Sequence, residues 1–299
     1  MSRPGRRGKA ARSDTAAAYL MILPFFLFFA VFVLYPIFQN VLTSFTNYNL
    51  ADKTYIGLAN YARLFRDRAF LRSVGNTLAY AVFSVIPLMA LGFAAALCVN
   101  RSSRLVTGVR AALMLPYAAS MVSVSMIWLY LYDPASGFFN KMRAAVGLPA
   151  SEWLFDPRLA LPCLIAMNVW KNLGYVMILY LAALQGVPAS LYDAARVDGA
   201  GFVRRTLHIT LPAIRPVSFF LMATLLIECF KTFDPVRIMT GGGPINATTT
   251  IAHQIYLRAF SEFKMGYASA MSVVLFIIVF AVAIVNLATG GQLRDTEER

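Results

Sequence analysis

Four long stretches of this sequence carry no formal charge. No Asp, Glu, Lys or Arg occurs from Thr15 to Ala51, from Ser73 to Asn100, from Ala111 to Tyr132 or from Met265 to Leu293. A helix that crosses the hydrocarbon core of a bilayer needs about 20 predominantly apolar residues, and each stretch can hold one. The spacing predicts spans at 17–38, 77–99, 112–132 and 266–288. Two further apolar stretches, 159–184 and 216–237, carry isolated charges: Lys171 in the first, and Glu228, Lys231 and Asp234 in the second. The expected fold class is all-α integral membrane, with six helices over residues 17–290. An N-tail (1–16) and a C-tail (291–299) flank them, and no length is left for a sizeable soluble domain.

Composition agrees. Hydrophobic residues make up 59% and charged residues 14%, with mean hydropathy +0.63, whereas soluble domains are nearer half and a quarter. So apolar a chain is not intrinsically disordered. The 27 Lys+Arg against 14 Asp+Glu give a formal net charge of +13, which in a soluble protein would suggest nucleic acid. Here the partner it implies is the lipid bilayer, with no nucleic acid. Fourteen Lys and Arg flank the spans on one side, against ten on the other. The fourteen sit in mostly shorter segments, and Arg3, Arg6, Arg7, Lys9 and Arg12 immediately precede the first span, so both termini are expected in the cytoplasm.

Other readings of the same residues are weaker. The Ala16-Ala17-Ala18 run precedes the apolar core instead of following it, so an uncleaved first span is expected, not a signal peptide. Cys98, Cys163 and Cys229 lie in apolar spans without a CxxC, and only His208 and His253 are present, so no metal or disulfide is expected. In the first outside loop, Asn60 to Phe65 and Phe70-Leu71 place apolar residues at helical spacing between arginines. That segment reads either as a headgroup-plane helix or as a solvated linker.

The segment 185–215 is long for a connection between bundled helices. Ser190 is the expected N-cap of a first helix, with Asp193 three residues on and Gly199 as its stop. A second helix is expected from Phe202 to about Thr210, ended by Pro212. Such a pair either docks in a groove of another protein or closes the bundle at the membrane surface. In the first case Asp193, Asp198, Arg204 and Arg205 would set its orientation.

Asp193-Ala194-Ala195, Gly199, Ile209 and Leu211-Pro212 fall at the spacing of the EAA loop, and the segment resembles that loop in ABC-importer permease subunits. Asp193 stands where that family usually has Glu, which shortens the carboxylate's reach by one methylene. Asp198-Gly199-Ala200 with Phe202 is similar to the carbohydrate-uptake branch. Ile56 to Tyr61, Leu115-Pro116-Tyr117, Val169-Trp170-Lys171, Thr240 to Pro244, Thr248-Thr249-Thr250 and Gly266-Tyr267-Ala268 also resemble maltose and glycerol-phosphate type permeases. The resemblance covers residues 17–290 and implies a type I importer permease (MetI-like) fold in the bacterial inner membrane. It also implies a second permease subunit in a heterodimer, an ATPase dimer and an extracytoplasmic solute-binding protein. The chain itself has no GxxxxGK[ST], so no catalytic residue and no cofactor is expected on it. ATP and Mg are expected on the ATPase. The residues expected to couple to that partner are Asp193, Ala194, Ala195, Asp198, Gly199, Ala200, Phe202, Arg204, Arg205, Leu211 and Pro212.

A charge at mid-membrane costs about 2.5–3.5 kcal/mol on insertion scales and usually faces a cavity or a partner. Asn168, Lys171, Asn172, Glu228 and Lys231 are therefore candidates for a solute pathway, with Trp170 as a possible stacking surface. The same charges could instead form a structural network between helices. The glycine run 241–243 reads as a mobile or tightly turning segment. Sugar, oligosaccharide and glycerol-phosphate all remain as solutes, an anionic one giving Lys171 and Lys231 a purpose. A stand-alone secondary transporter is the alternative function, and a membrane enzyme is disfavoured because no His, Cys or carboxylate cluster suggests a common site.

Overall fold

The computed structural model describes residues 19–101 and 103–297. The N-tail 1–16, with its expected basic cluster, lies outside the described residues, as do 17–18 and 298–299. Helix α1, Tyr19–Ser44, is followed by a short outside helix, α2 (Ala59–Leu64), and by α3 (Arg68–Cys98). Then come α4 (Arg104–Ala118), α5 (Met121–Leu131), α6 (Phe138–Ala145) and α7 (Ala160–Gln185). Helix α8 (Ala189–Val197), α9 (Phe202–Ala213), α10 (Arg215–Phe230), α11 (Ile251–Tyr256) and α12 (Met265–Glu297) complete the chain. Among the described residues there is no strand, only an isolated bridge between Thr46 and Tyr55.

Span two begins well before the expected residue 77, because Asp67 caps the helix. Its carboxylate accepts from the backbone N–H of Ala69 (2.9 Å) and Phe70 (3.4 Å). Span three is not the single helix expected at 112–132. It breaks where Ala119 and Ser120 are extended, and its halves α4 and α5 bend by 99°. Pro116 lies in the last turn of α4. Span five is also bent, by 67° at Ile214, between α9 and α10. It ends at Phe230 instead of 237, and residues 236–240 form a separate wide turn. The last helix runs past the expected end at 288.

Spans two, four and five form the core. Tyr80, Leu88 and Ala96 of α3 pack with Leu164, Met167, Val176 and Met177 of α7 and with Leu221 of α10, all buried. In lipid this packing depends on close backbone approach at small residues. A Cβ at Gly92 would lie 2.5 Å from the Val176 side chain, and one at Gly174 would collide with the Leu113 carbonyl oxygen of α4. Gly266 opens span six hard against the Thr46 carbonyl oxygen, and its N–H donates to the Tyr48 carbonyl at 3.0 Å.

Span one is different. Its apolar window is wholly unburied by the rest of the chain. Its last ten residues, Tyr35–Ser44, pack on span six, and at that end the Asn60 amide donates to the Ser44 (2.8 Å) and Thr46 (2.9 Å) carbonyls and the Tyr61 hydroxyl meets Ser44 Oγ at 2.6 Å.

Candidate functional site: a polar cavity at a broken span, and an exposed helical loop

Span four carries Asn168, Lys171, Asn172 and Tyr175 on one helical face. Span five carries Thr224 and Glu228 four residues apart, and Thr232 follows just beyond its end. The two faces border a cavity of about 480 Å³, and Tyr117 and Met121 complete its wall from either side of the break in span three. Breaking a helix inside a membrane leaves carbonyls that need partners. Lys171, only 6% exposed, supplies one: its ammonium donates to the Tyr117 carbonyl at 3.1 Å. The same ammonium stands 5.4 Å from the centre of the Tyr117 ring, and that ring stacks on Tyr175 at 4.8 Å. Among the described residues Lys171 has no carboxylate partner, so its charge stays available at the cavity.

The amide of Asn172 donates to the backbone and side-chain oxygens of Asn168, both at 2.9 Å, which leaves the Asn172 side-chain oxygen free to accept. Glu228 pairs with Lys231 at 3.0 Å, as their spacing allows, and both are largely exposed, 72% and 58%. Glu228 borders the cavity. Lys231 does not; it sits at the C-cap of α10, where the helix has already ended. Trp170 points elsewhere. It packs against Trp128 at 5.4 Å and lines an apolar groove with Phe83, Pro87 and Leu91, because one residue along a helix turns the side chain about 100° away.

Tyr117, Met121, Tyr175, Thr224, Cys229 and Thr232 also line the cavity and were not among the pathway residues expected from sequence. Tyr175 and the two threonines were detectable, at four-residue spacing from Lys171 and Glu228. Tyr117 and Met121 depend on the break in span three, which charge patterning does not reveal.

The segment after span four forms the expected helix pair, with two changes. Helix α8 starts at Ala189 with Pro188 at its N-cap, and no side chain caps it, so Ser190 lies inside the first turn. Asp193 instead pairs with Arg196 at 3.0 Å on the exposed surface. The second helix runs past Thr210, through a wide turn at Thr206–Thr210, and ends at Ala213, one residue after Pro212, where the chain bends by 67°. Gly199 does stop the first helix. At φ +71 it closes a Schellman motif in which Ala200 N–H donates to the Ala195 carbonyl (2.8 Å) and Gly199 N–H to that of Arg196 (3.1 Å). The two helices are tied by Tyr192 and Thr210, 3.0 Å apart. Ala195, Asp198, Ala200, Arg204 and Arg205 border a small hollow of about 230 Å³ with His208 and Ile209. Ala194 lies beside Ala195 in α8, and Leu211 begins the last turn of α9. No residue of α8 is buried, and Val197 (88%) and Phe202 (63%) expose large apolar surface.

A model of the family described as "Binding-protein-dependent transport system inner membrane component" matches residues 88–290. The chain belongs to this family. The permease is 35% identical over 292 residues to the diacetylchitobiose uptake system permease protein NgcF of Streptomyces coelicolor, covering 91% of this chain and 82% of that one. It is 35% identical over 275 residues to the sn-glycerol-3-phosphate transport system permease protein UgpA of Yersinia pestis, covering 90% and 92%. Its fold matches a chain of a bacterial alginate ABC transporter solved with an alginate pentasaccharide-bound periplasmic protein. The TM-score is 0.85 at 24% identity, over 97% of this chain and 98% of that one. The permease is thus an all-α, multi-pass membrane protein with the MetI-like fold of ABC importer permeases.

Proposed function

We propose that this permease is one transmembrane subunit of an importer for a hydroxyl-rich solute, a sugar, oligosaccharide or glycerol-phosphate derivative. The observation that carries the reading is the cavity at the broken span. It offers ring faces at Tyr117 and Tyr175, donors and acceptors at Asn168, Asn172, Thr224 and Thr232, and one cation, Lys171, without an anion. A polyhydroxylated ligand needs such alternating donors and acceptors, and the Lys171 charge suits an acidic or phosphorylated group. The permeases NgcF and UgpA, by their names, serve solutes of these two kinds.

Glu228 is exposed at the cavity on a membrane-spanning helix, and its ion-pair partner Lys231 is exposed at the end of that helix. Hydrocarbon does not tolerate that exposure, which supports a second permease chain, or the water of a shared pathway, over that face. The unburied apolar surface of α8 and α9 supports docking of an ATPase dimer, which would bring ATP and Mg. Closure of that dimer would push α8 and rock the spans between outward-open and inward-open states. In this reading both termini and the segment 185–215 are cytoplasmic, and a solute-binding protein delivers solute on the opposite side.

The test is reconstitution of the permease with its second subunit and ATPase in vesicles. Uptake should require ATP and should fall when Asp198 or Gly199 is substituted, while substitutions at Asn168 and Asn172 should raise the solute concentration needed for half-maximal uptake. ATP-independent uptake by this chain alone would overturn the reading.

A further inference from the structure

Span two is longer than the hydrocarbon it crosses. Its 31 residues make a helix of about 46 Å, whereas hydrocarbon and headgroups together measure about 40–45 Å. Asn100 and Arg101 follow its other end, so its first turns, with Arg68 and Arg72, stand at headgroup level. Both side chains are exposed, and among the described residues neither has an ion-pair partner. Asp67, the one carboxylate between Arg66 and Arg72, is turned inward to Tyr267 (2.8 Å) and Arg258 (3.4 Å). Phe65 and Leu71 are exposed beside these arginines, a mixture that suits the boundary between headgroups and acyl chains.

An apolar groove of about 770 Å³ runs between spans two and four, and every residue that lines it is apolar. Ala79 and Phe83 of the groove follow Arg72 by two and three helical turns, on the same face. Leu161, Ile165 and Leu173 form the opposite wall. Spans two and four run in the same direction, with one crossing between them, and Gly92 lies against Val176. Carried back along both helices, that register puts Arg158 within about a turn of the level of Arg72. Arg158 is exposed just before span four, and among the described residues it too has no ion-pair partner.

We propose that Arg72 and Arg158 hold the phosphate of an anionic phospholipid whose acyl chain fills the groove between spans two and four. Guanidinium groups grip phosphate with two N–H donors each, and basic residues at the head of a cleft between spans select anionic headgroups. The groove below takes the apolar part of the same molecule. Trp170 lines this groove while its neighbour Lys171 borders the polar cavity, so span four carries lipid on one face and the solute pathway on the other. The proposal needs only the membrane-spanning fold and does not depend on which solute is carried.

The test titrates the purified permease complex in detergent with phosphatidylglycerol, and separately with phosphatidylcholine of the same chains. Bound lipid is read by native mass spectrometry and stability by the thermal midpoint. The parent should retain phosphatidylglycerol in preference to phosphatidylcholine and melt higher when it is present. The double variant Arg72→Gln, Arg158→Gln should weaken phosphatidylglycerol binding roughly tenfold or more and lose that rise, with phosphatidylcholine binding unchanged. Both side chains are exposed, so without phosphatidylglycerol the variant should melt like the parent. Ala79→Trp, which fills the groove, should displace both lipids. The control Arg101→Gln, Arg104→Gln, at the other end of the bundle, should bind phosphatidylglycerol as the parent does. Equal losses in the two double variants would reveal a general attraction to positive charge and overturn the proposal. So would unchanged binding in Arg72→Gln, Arg158→Gln, or an Ala79→Trp variant that releases a second permease chain and no lipid.

Discussion

The ammonium of Lys171 in span four lies 3.1 Å from the backbone carbonyl of Tyr117, at the end of the first half of span three. A charged side chain thereby satisfies a carbonyl left by a helix break, and it does so at the wall of the cavity. A hydrogen bond to a charged group contributes about 1.5–3 kcal/mol, and the break needs it because lipid supplies no donor. Lys171→Met should destabilise the purified permease by an amount in that range, seen as a lower thermal midpoint, and reduce uptake. Lys171→Arg, which keeps a donor and the charge, should retain more of both. Equal stability of Lys171→Met and the parent would show that the break is satisfied in another way.

Gly199 tests the exposed helix pair through its backbone alone. A Cβ there meets nothing within 4 Å, so a side chain costs only the left-handed conformation, about 1–2 kcal/mol for most residues. Asn tolerates that conformation better than a β-branched residue. Uptake should therefore fall in the order Gly199, Gly199→Asn, Gly199→Val, and recovery of the ATPase with the purified permease should follow the same order. An inverted order would locate the requirement elsewhere in the loop.

Gly174 is the opposite case, because its limit is space. An added methyl would meet the backbone of Leu113 and Met114 in span three, and backbone cannot move aside as a side chain can. Gly174→Ala should separate spans three and four and destabilise the permease by about 1–3 kcal/mol, the usual cost of overpacking. Gly75→Ala, on span two with open space around it, is the control and should leave the melting temperature nearly unchanged.

A charged cluster at the end of the bundle that bears the loop between spans five and six predicts an acid-sensitive limb. Burial alone would raise the Asp67 carboxyl. The Tyr267 hydroxyl at 2.8 Å, the N–H groups of Ala69 and Phe70 and the Arg258 charge together hold it below its ordinary value. Glu262 is also lowered, first by its hydrogen bond from Arg258 (2.6 Å), against burial, and then by Lys264 (2.6 Å). Both pKa values are depressed by folding. Their stabilisation is therefore fully present above the unfolded carboxylate range, about pH 4, and is lost as pH falls through the folded values. Melting temperature measured from pH 6 down to pH 3 should drop along this limb. The double variant Asp67→Asn, Glu262→Gln should start lower and show a shallower decline.

The membrane class of the chain was legible because it depends on where charges are absent, and the runs around residues 15–51 and 73–100 admit little else. The face of span four was legible too, since Asn168, Lys171 and Asn172 follow helical spacing. The kinks were not. Pro116 and Pro212 have the same local chemistry and a bend follows each, yet the first turns the chain by 99° across Ala119 and Ser120 and the second by 67° at Ile214. Tertiary packing decides between those outcomes, and one sequence does not encode it locally. Trp170 was misplaced for a related reason. Its neighbour Lys171 faces the cavity, and a single helical step carries the indole to an apolar groove.

Span one packs on span six over its last ten residues, Tyr35–Ser44, and leaves Tyr19–Leu34 unburied by its own chain, which has a mechanical consequence. Those 16 residues are about 24 Å long, and a rod held at one end multiplies angles into distances. A few degrees of rotation at Tyr35 become an ångström or two of sideways travel at Tyr19. The first part of the helix is thus a boom: it can sweep the plane of the bilayer while the bundle behind it keeps its register.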